Sequence, residues 1–403
     1  MKCFFRLLRY ECRKAYRSPA LWIFLAALLI LNGWKLHDEY EGAVYRWRDY
    51  RPQYEESYAQ YVGPITAEKV GKLMTIYRPL EIKFELNELS REYDPNAYTY
   101  SEAIDEDFFR SLFVAEMRYD YYYRSVSQEI SNRAAKLAWT YSQLGNNYEA
   151  QKNVRIAADF AGRMIPDFAD TRGYAVLLDY DFSSMLILLL CIFAMISIFV
   201  REQDTEMYML LRTTKNGSGM TVAAKLATAL LFVVLVCAAF YAEDFLSIYL
   251  VSDRNTALSS PIYALPAMER TPLRMSVGTY ILCSAGIRTL GVLVFCAMLL
   301  LLSCLIRQYL GTMLSGLALL LGCSVLQDRA GVLALLRWFN PLELVISRDL
   351  MYDDRFVNLF GYPVRLYLFI FIGLGLVLLL LLFGILLCNR GYHNRLNRRR
   401  KSC

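Results

Sequence analysis

Residues 281–306 read ILCSAGIRTLGVLVFCAMLLLLSCLI, an uninterrupted apolar run whose one charged residue is Arg288. A hydrocarbon core roughly 30 Å thick takes about 20 helical residues to cross, so a run of this length and leucine content reads as a membrane span. Such a core offers no water to backbone N–H and C=O groups, and a run like this one closes its hydrogen bonds internally as a helix. Working outward, five more runs of the same character appear: 19–36, 183–200, 223–251, 309–326 and 365–388. No alternating barrel pattern is present in any of them.

The chain has 403 residues, 56% of them hydrophobic and 20% charged, with a positive mean hydropathy. That balance is too apolar for a single soluble domain of this size. The fold class expected is an all-α membrane protein with six transmembrane helices, an N-terminal interfacial helix and a helical extracytoplasmic domain. A basic stretch precedes the first run, as in a signal peptide. The residues after it, Lys35, Leu36, His37 and Asp38, lack a small-x-small cleavage site, so it reads as a retained anchor.

Positive residues near span ends stay on the cytoplasmic side. Lys2, Arg6, Arg9, Arg13, Lys14 and Arg17 flank the first span; Arg201, Arg212, Lys215 and Lys225 lie between the second and third; Arg390, Arg395, Arg398, Arg399, Arg400 and Lys401 follow the sixth. An even number of spans puts both termini on one side, and both are basic, so the expectation is a bacterial plasma-membrane protein with both ends cytoplasmic. Residues 37–181 then lie outside. They carry 25 Asp and Glu against 17 Lys and Arg, a net of −8 that leaves +14 for the rest of a +6 chain. A basic cluster directly after a span is explained by anionic lipid headgroups, and no nucleic-acid partner is expected.

The resulting map is 1–18 interfacial helix, 19–36 first span, 37–182 extracytoplasmic domain, 183–200 second span and 201–222 cytoplasmic loop. It continues with 223–251 third span, 252–280 outer loop, 281–306 fourth span, 309–326 fifth span, 327–364 outer loop with re-entrant or interfacial helices, 365–388 sixth span and 389–403 basic tail. In residues 2–17 one helical stripe carries the basic residues and another carries Phe5, Leu8, Cys12 and Tyr16. A plain basic flank with no helix of its own is the alternative.

All ten cysteines avoid the 37–181 domain, none forms a CxxC pair, and only His37 and His393 could join them, so no zinc site and no bound metal are expected. Within that domain Val126, Ile130, Ala134, Leu137, Tyr141 and Leu144 recur at helical spacing, with breaks at Gly63-Pro64, Asp94-Pro95-Asn96, Gly145-Asn146-Asn147, Pro166 and Gly173. Eighteen of the 30 tyrosines fall there, including Tyr50, Tyr54, Tyr58 and Tyr61 and the run Tyr121-Tyr122-Tyr123. Tyrosine suits thin helical cores; an aromatic surface for an envelope ligand is the sharper reading. Leu144-Gly145, Tyr148 and Ala157 match tetratricopeptide spacing, but one partial copy has nothing to stack on.

Arg288 lies seven residues inside the fourth run, and Glu243 and Asp244 lie about as far from the outer end of the third. An ionised group in lipid is costly, so Arg288 is expected to pair with Glu243 or Asp244 in the bundle; shorter spans would instead leave all three at the interface.

Between the second and third spans the chain reads REQDTEMYMLLRTTKNGSGMTVAAK, residues 201–225. Glu202 and Glu206 lie one turn apart, Met207, Leu210 and Leu211 form an apolar edge, and Asn216-Gly217 is a turn. A helix of this size fits a groove on a soluble partner. The stretch resembles the permease subunits of type-2 ATP-binding cassette (ABC) exporters. Glu202, Glu206, Leu210, Leu211, Thr213, Thr214, Gly217 and Lys225 carry the likeness, while Ser218 stands where that family often has arginine. The basic N-terminal elbow, the large first insertion, Leu178 to Asp181, Asn340-Pro341 and Gly361 to Val364 extend it. The resemblance implies a coupling helix at 201–222, a separate cytoplasmic ABC ATPase as partner, a second permease unit as homo- or heterodimer, and outward transport.

No GxxxxGK[ST] loop is present, so no ATP is expected on this chain; ATP and magnesium belong to the partner ATPase. No catalytic residues are assigned, because no nucleophile and base share a membrane face, and an embedded enzyme is the weakest reading. A membrane-anchored receptor or scaffold with an extracytoplasmic sensing domain is the alternative function.

Overall fold

A computed structural model describes residues 2–44, 49–89, 99–204, 219–252, 256–306, 308–327, 337–352 and 354–401. Among these the chain is helical, with two short two-stranded sheets and no closed sheet. Six helical stretches are long and apolar enough to cross a membrane: Pro19–Ala43, Arg172–Met195, Gly219–Val251, Val277–Ile306, Tyr309–Gln327 and Leu366–Cys388.

Helix α1 (Lys2–Ala15) precedes α2 (Pro19–Val44). Pro19 opens α2, where its missing N–H costs nothing. The Trp22 indole donates back to the Tyr16 carbonyl at 2.8 Å and fixes the corner. The insertion domain follows with α3 (Arg51–Tyr61), α4 (Ala67–Leu89), α5 (Tyr100–Phe109), a π-helical turn at Arg110–Val114, α6 (Ala115–Gln143) and α7 (Asn147–Phe160). Helix α8 (Arg172–Asp179) then leads into α9 (Phe182–Asp204). After these come α10 (Gly219–Val251), α11 (Val277–Ile306), α12 (Tyr309–Gln327) and α13 (Leu366–Lys401).

The expected breaks have local causes. Gly63 takes φ +87°, open only to a residue without Cβ, and pairs with Phe168 where strand β1 (Gly63–Pro64) meets β2 (Asp167–Phe168). Thr66 accepts the Lys69 amide at the head of α4, and Asn146 accepts the Glu149 amide at the head of α7. The turn expected at residues 94–96 lies outside the described residues.

Helix α6 has the helical spacing expected, with Val126, Leu137 and Leu144 exposed and a buried stripe of Met117, Asp120, Tyr123, Ser127, Ser131, Ala134 and Ala138. Small side chains on that face let α7 approach closely, and Ser131 closes the contact by donating to the Ala157 carbonyl at 2.8 Å. The tyrosines divide. Tyr61, Tyr77 and Tyr123 are buried, Tyr54 and Tyr58 stack at 5.6 Å beside Phe113 and Phe168, and Tyr121 and Tyr122 face outward.

In the bundle, α11 is the central helix, with α9, α10, α12 and α13 around it. Its Gly291 lets the buried short helix Leu342–Val345 sit against it, since a Cβ there would stand 2.8 Å from the Pro341 carbonyl oxygen. Asn340 shapes that entry by donating to the Cys323 carbonyl at 2.7 Å and accepting the Leu342 amide. A hairpin of β3 (Phe356–Leu359) and β4 (Tyr362–Arg365) leads into α13.

The insertion domain is tied to the α10–α11 connection. Tyr123 stacks on Tyr263 at 4.9 Å, buried Arg163 donates to the Thr271 carbonyl at 2.7 Å, and Arg274 donates to the carbonyls of Ala158, Asp159 and Ala161.

Candidate functional site

The break between α8 and α9 is the centre of a buried polar cluster that joins four helices. Tyr180 leaves helical geometry there, with ψ 110°, so the last carbonyls of α8 have no partner within the helix. Arg288, 6% exposed on α11, supplies the donors: Nη1 to the Tyr180 carbonyl at 3.0 Å and Nη2 to the Leu178 carbonyl at 3.3 Å. The same Nη2 lies 3.3 Å from Asp181 Oδ1. A cation at a helix C-terminus also meets the negative end of its dipole.

The expected partners of Arg288 are placed differently. Glu243 and Asp244 on α10 face Asn32 of α2, a fully buried side chain whose amide nitrogen donates to Asp244 Oδ1 at 2.6 Å and to Glu243 Oε2 at 3.3 Å. The ion-pair partner of Arg288 is therefore Asp181, and the carboxylates of α10 take an amide instead. The physical reason is local: the open helix end at 178–181 offers the guanidinium two carbonyls and a carboxylate together. Tyr180 connects the two halves, because its hydroxyl lies 3.1 Å from both the backbone and side-chain oxygens of Asn32 while its carbonyl accepts Arg288. Tyr352 adds a further tie, donating to Asp179 at 2.6 Å.

Sequence reasoning singled out Arg288, Glu243 and Asp244 by their charge inside apolar runs. It missed Asn32, which is uncharged and sits in an ordinary span. Asp181 was visible as the last acid before the second span, but nothing in its spacing pointed to Arg288.

At the other end of α10, Lys225 is 4% exposed and its Nζ lies 3.4 Å from the Ile198 carbonyl of α9. Close by, the Tyr16 hydroxyl donates to the Thr228 carbonyl at 2.9 Å and its ring stacks on Phe232 at 4.6 Å, which seats α1 on α10. Glu202 lies within α9, with its side chain outside the described residues; Glu206, Leu210, Leu211, Thr213, Thr214 and Gly217 lie outside them altogether. Of the eight residues named in that stretch as carrying the likeness, Lys225 alone has a described side chain. Among the described residues no three His, Cys, Asp or Glu side chains gather as metal ligands.

Comparison of the chain with protein-family models gave no match, and comparison with curated proteins gave none either.

Proposed function

We propose that this chain is the membrane-spanning permease subunit of a type-2 ABC exporter, coupling ATP hydrolysis on a separate cytoplasmic ATPase to outward transport of a substrate. In this reading it lies in a bacterial plasma membrane with both termini inside, α1 rests in the inner headgroup layer, and the acidic insertion domain faces outward. A second permease unit completes the pathway, and ATP and magnesium stay on the ATPase.

The observation that carries the reading is the position of residues 201–225 in a six-span chain. The stretch has the residues of a coupling helix and joins α9 to α10, and buried Lys225 locks its far end onto α9 through the Ile198 carbonyl. A push on such a segment moves α9 and α10 together. Their opposite ends meet α2 and α11 at Tyr180, Asn32 and Arg288, so the polar cluster offers a route from a motor to the insertion domain.

The test is co-purification with a phosphate-loop ATPase encoded beside this chain. Loss of that subunit on Glu206→Ala or Leu210→Ala supports the proposal; a stable complex with a signalling kinase and no ATPase favours the receptor. A groove of about 820 Å³ in the insertion domain gives the receptor reading its one specific support, since Tyr77, Phe84, Tyr119 and Tyr122 line it together with Glu106 and Arg110.

A further inference from the structure

Glu243 and Asp244 stand side by side about two turns before α10 ends at Val251, in a stretch long and apolar enough to span a membrane. Asp244 is buried and Glu243 half-buried, and among the described residues neither has an ion-pair partner. Arg288 is the described cation whose field reaches Asp244, but its hydrogen bonds go to the carbonyls of Leu178 and Tyr180 and its ion pair to Asp181. Asp181, Glu243 and Asp244 set against Arg288 leave the cluster two negative charges in excess. Asn32 donates to both carboxyls of α10, yet an amide brings no net charge. Uncompensated carboxylates inside a span are costly, so this place calls for a positive partner from solution.

Neutral oxygens surround the two carboxyls. Ser183 on α9 is fully buried beside Asp244, and its Oγ closes no hydrogen bond. Asn32 is fully buried too, and turning its amide over would bring Oδ1 to the carboxyls and Nδ2 to the Tyr180 hydroxyl. Tyr180 can accept that N–H while donating to the backbone carbonyl of residue 32 at 3.1 Å. Gly33 makes the room, since a Cβ there would stand 2.9 Å from Glu243 Oε1. Half-buried Glu243 leaves a way in from one side.

We propose that Glu243, Asp244, Asn32 and Ser183 bind a hard divalent cation of the calcium class where α2, α9 and α10 meet. Two carboxylates match its two positive charges. With the amide carbonyl and the hydroxyl they supply up to about six oxygens, the lower end of what calcium takes in flexible arrangements. Magnesium fits less well, because it holds to octahedral geometry and parts reluctantly with its waters. Only two of these ligands are acids, which agrees with the absence of any three-acid group among the described residues. Once bound, the ion ties α2 and α9 to α10 beside the point where Arg288 closes the end of α8. The site stands on its own residues; the side from which the ion enters rests on the topology proposed above.

The experiment uses the purified full chain in lipid nanodiscs, without ATPase or substrate, so its failure is separate from failure of the exporter reading. Terbium is the probe, a calcium analogue whose luminescence is excited by a nearby tyrosine, here Tyr180 against Asn32. Ions held by the acidic insertion domain are subtracted with the double variant Glu243→Gln, Asp244→Asn, which keeps both shapes and removes both charges. The wild type should hold one more terbium ion per chain than the double variant, displaced by calcium and not by equal magnesium. Calcium should also raise the wild-type unfolding midpoint by several degrees more than that of the double variant. Ser183→Ala leaves both charges in place and serves if the double variant does not fold; it should weaken calcium at least about tenfold, the loss typical even of outer-shell changes. Equal terbium stoichiometry in wild type and double variant overturns the proposal, as does an unchanged calcium affinity in Ser183→Ala. A wild-type midpoint that rises on acidification and ignores calcium overturns it too, since the carboxyls are then neutralised by protons.

Discussion

Arg288 on α11 lies 3.3 Å from Asp181, at the point where the chain leaves the insertion domain for α9. The contact joins two elements more than a hundred residues apart and closes the open end of α8 with the same guanidinium. Removing one partner of a buried pair leaves the other uncompensated. Arg288→Met should therefore lower the unfolding free energy in detergent by about 3 kcal/mol. Swapping the charges as Arg288→Asp with Asp181→Arg should recover more folded protein than either single change. The swap Arg288→Glu with Glu243→Arg should recover none, and expression with thermal unfolding reads both.

Asn32 is the one described donor shared by Glu243 and Asp244. Asn32→Leu fills the same space but removes the amide donor from both carboxyls, while the Tyr180 hydroxyl keeps the backbone carbonyl of residue 32, so a loss of about 2 kcal/mol is expected. Thermal unfolding of the purified chain checks it, and an unchanged midpoint would contradict the described geometry.

Gly291 faces backbone, with the Pro341 carbonyl oxygen 2.8 Å and Leu344 Cβ 3.0 Å from where its Cβ would stand. Backbone does not rotate away as a side-chain tip does. Gly291→Ala should cost about 1–3 kcal/mol by pushing helix Leu342–Val345 off α11, whereas Gly286→Ala, with open space around it, should not. Comparing the two midpoints isolates the close approach from any general effect of a methyl group.

The tyrosines of the insertion domain should separate by burial. Tyr61 is 2% exposed in the aromatic core and Tyr121 is 65% exposed. Tyr61→Ala should cost about 3–5 kcal/mol, as for other large aromatic truncations, and Tyr121→Ala less than about 0.5 kcal/mol. If Tyr121→Ala proves as damaging as Tyr61→Ala, the outward face has a structural partner that the described residues do not include.

The helices were legible in the sequence because their cause is local: apolar runs of this length have few other ways to satisfy a backbone in lipid. Turn residues such as Gly63, Thr66 and Asn146 marked element ends for equally local reasons. Apart from Ala134, the small-residue face that α6 buries was not legible, because Ser127, Ser131 and Ala138 look polar or neutral, and their value lies in being small where α7 passes. Nor was the partner of Arg288, since the carbonyls of Leu178 and Tyr180 become acceptors only once the chain has bent between α8 and α9. A buried amide such as Asn32 carries no charge signal at all. The coupling stretch was the clearest motif, and residues 205–218 of it lie outside the described residues, so its reading still rests on sequence.

The account depends most on which side of the membrane residues 201–225 occupy, and impermeant thiol labelling of intact cells measures that directly. In a chain whose native cysteines are replaced by serine, Ser125→Cys should react from outside and Thr214→Cys only after the membrane is opened. Labelling of Thr214→Cys on intact cells with Ser125→Cys protected would invert the topology and remove the ground for an ATPase contact.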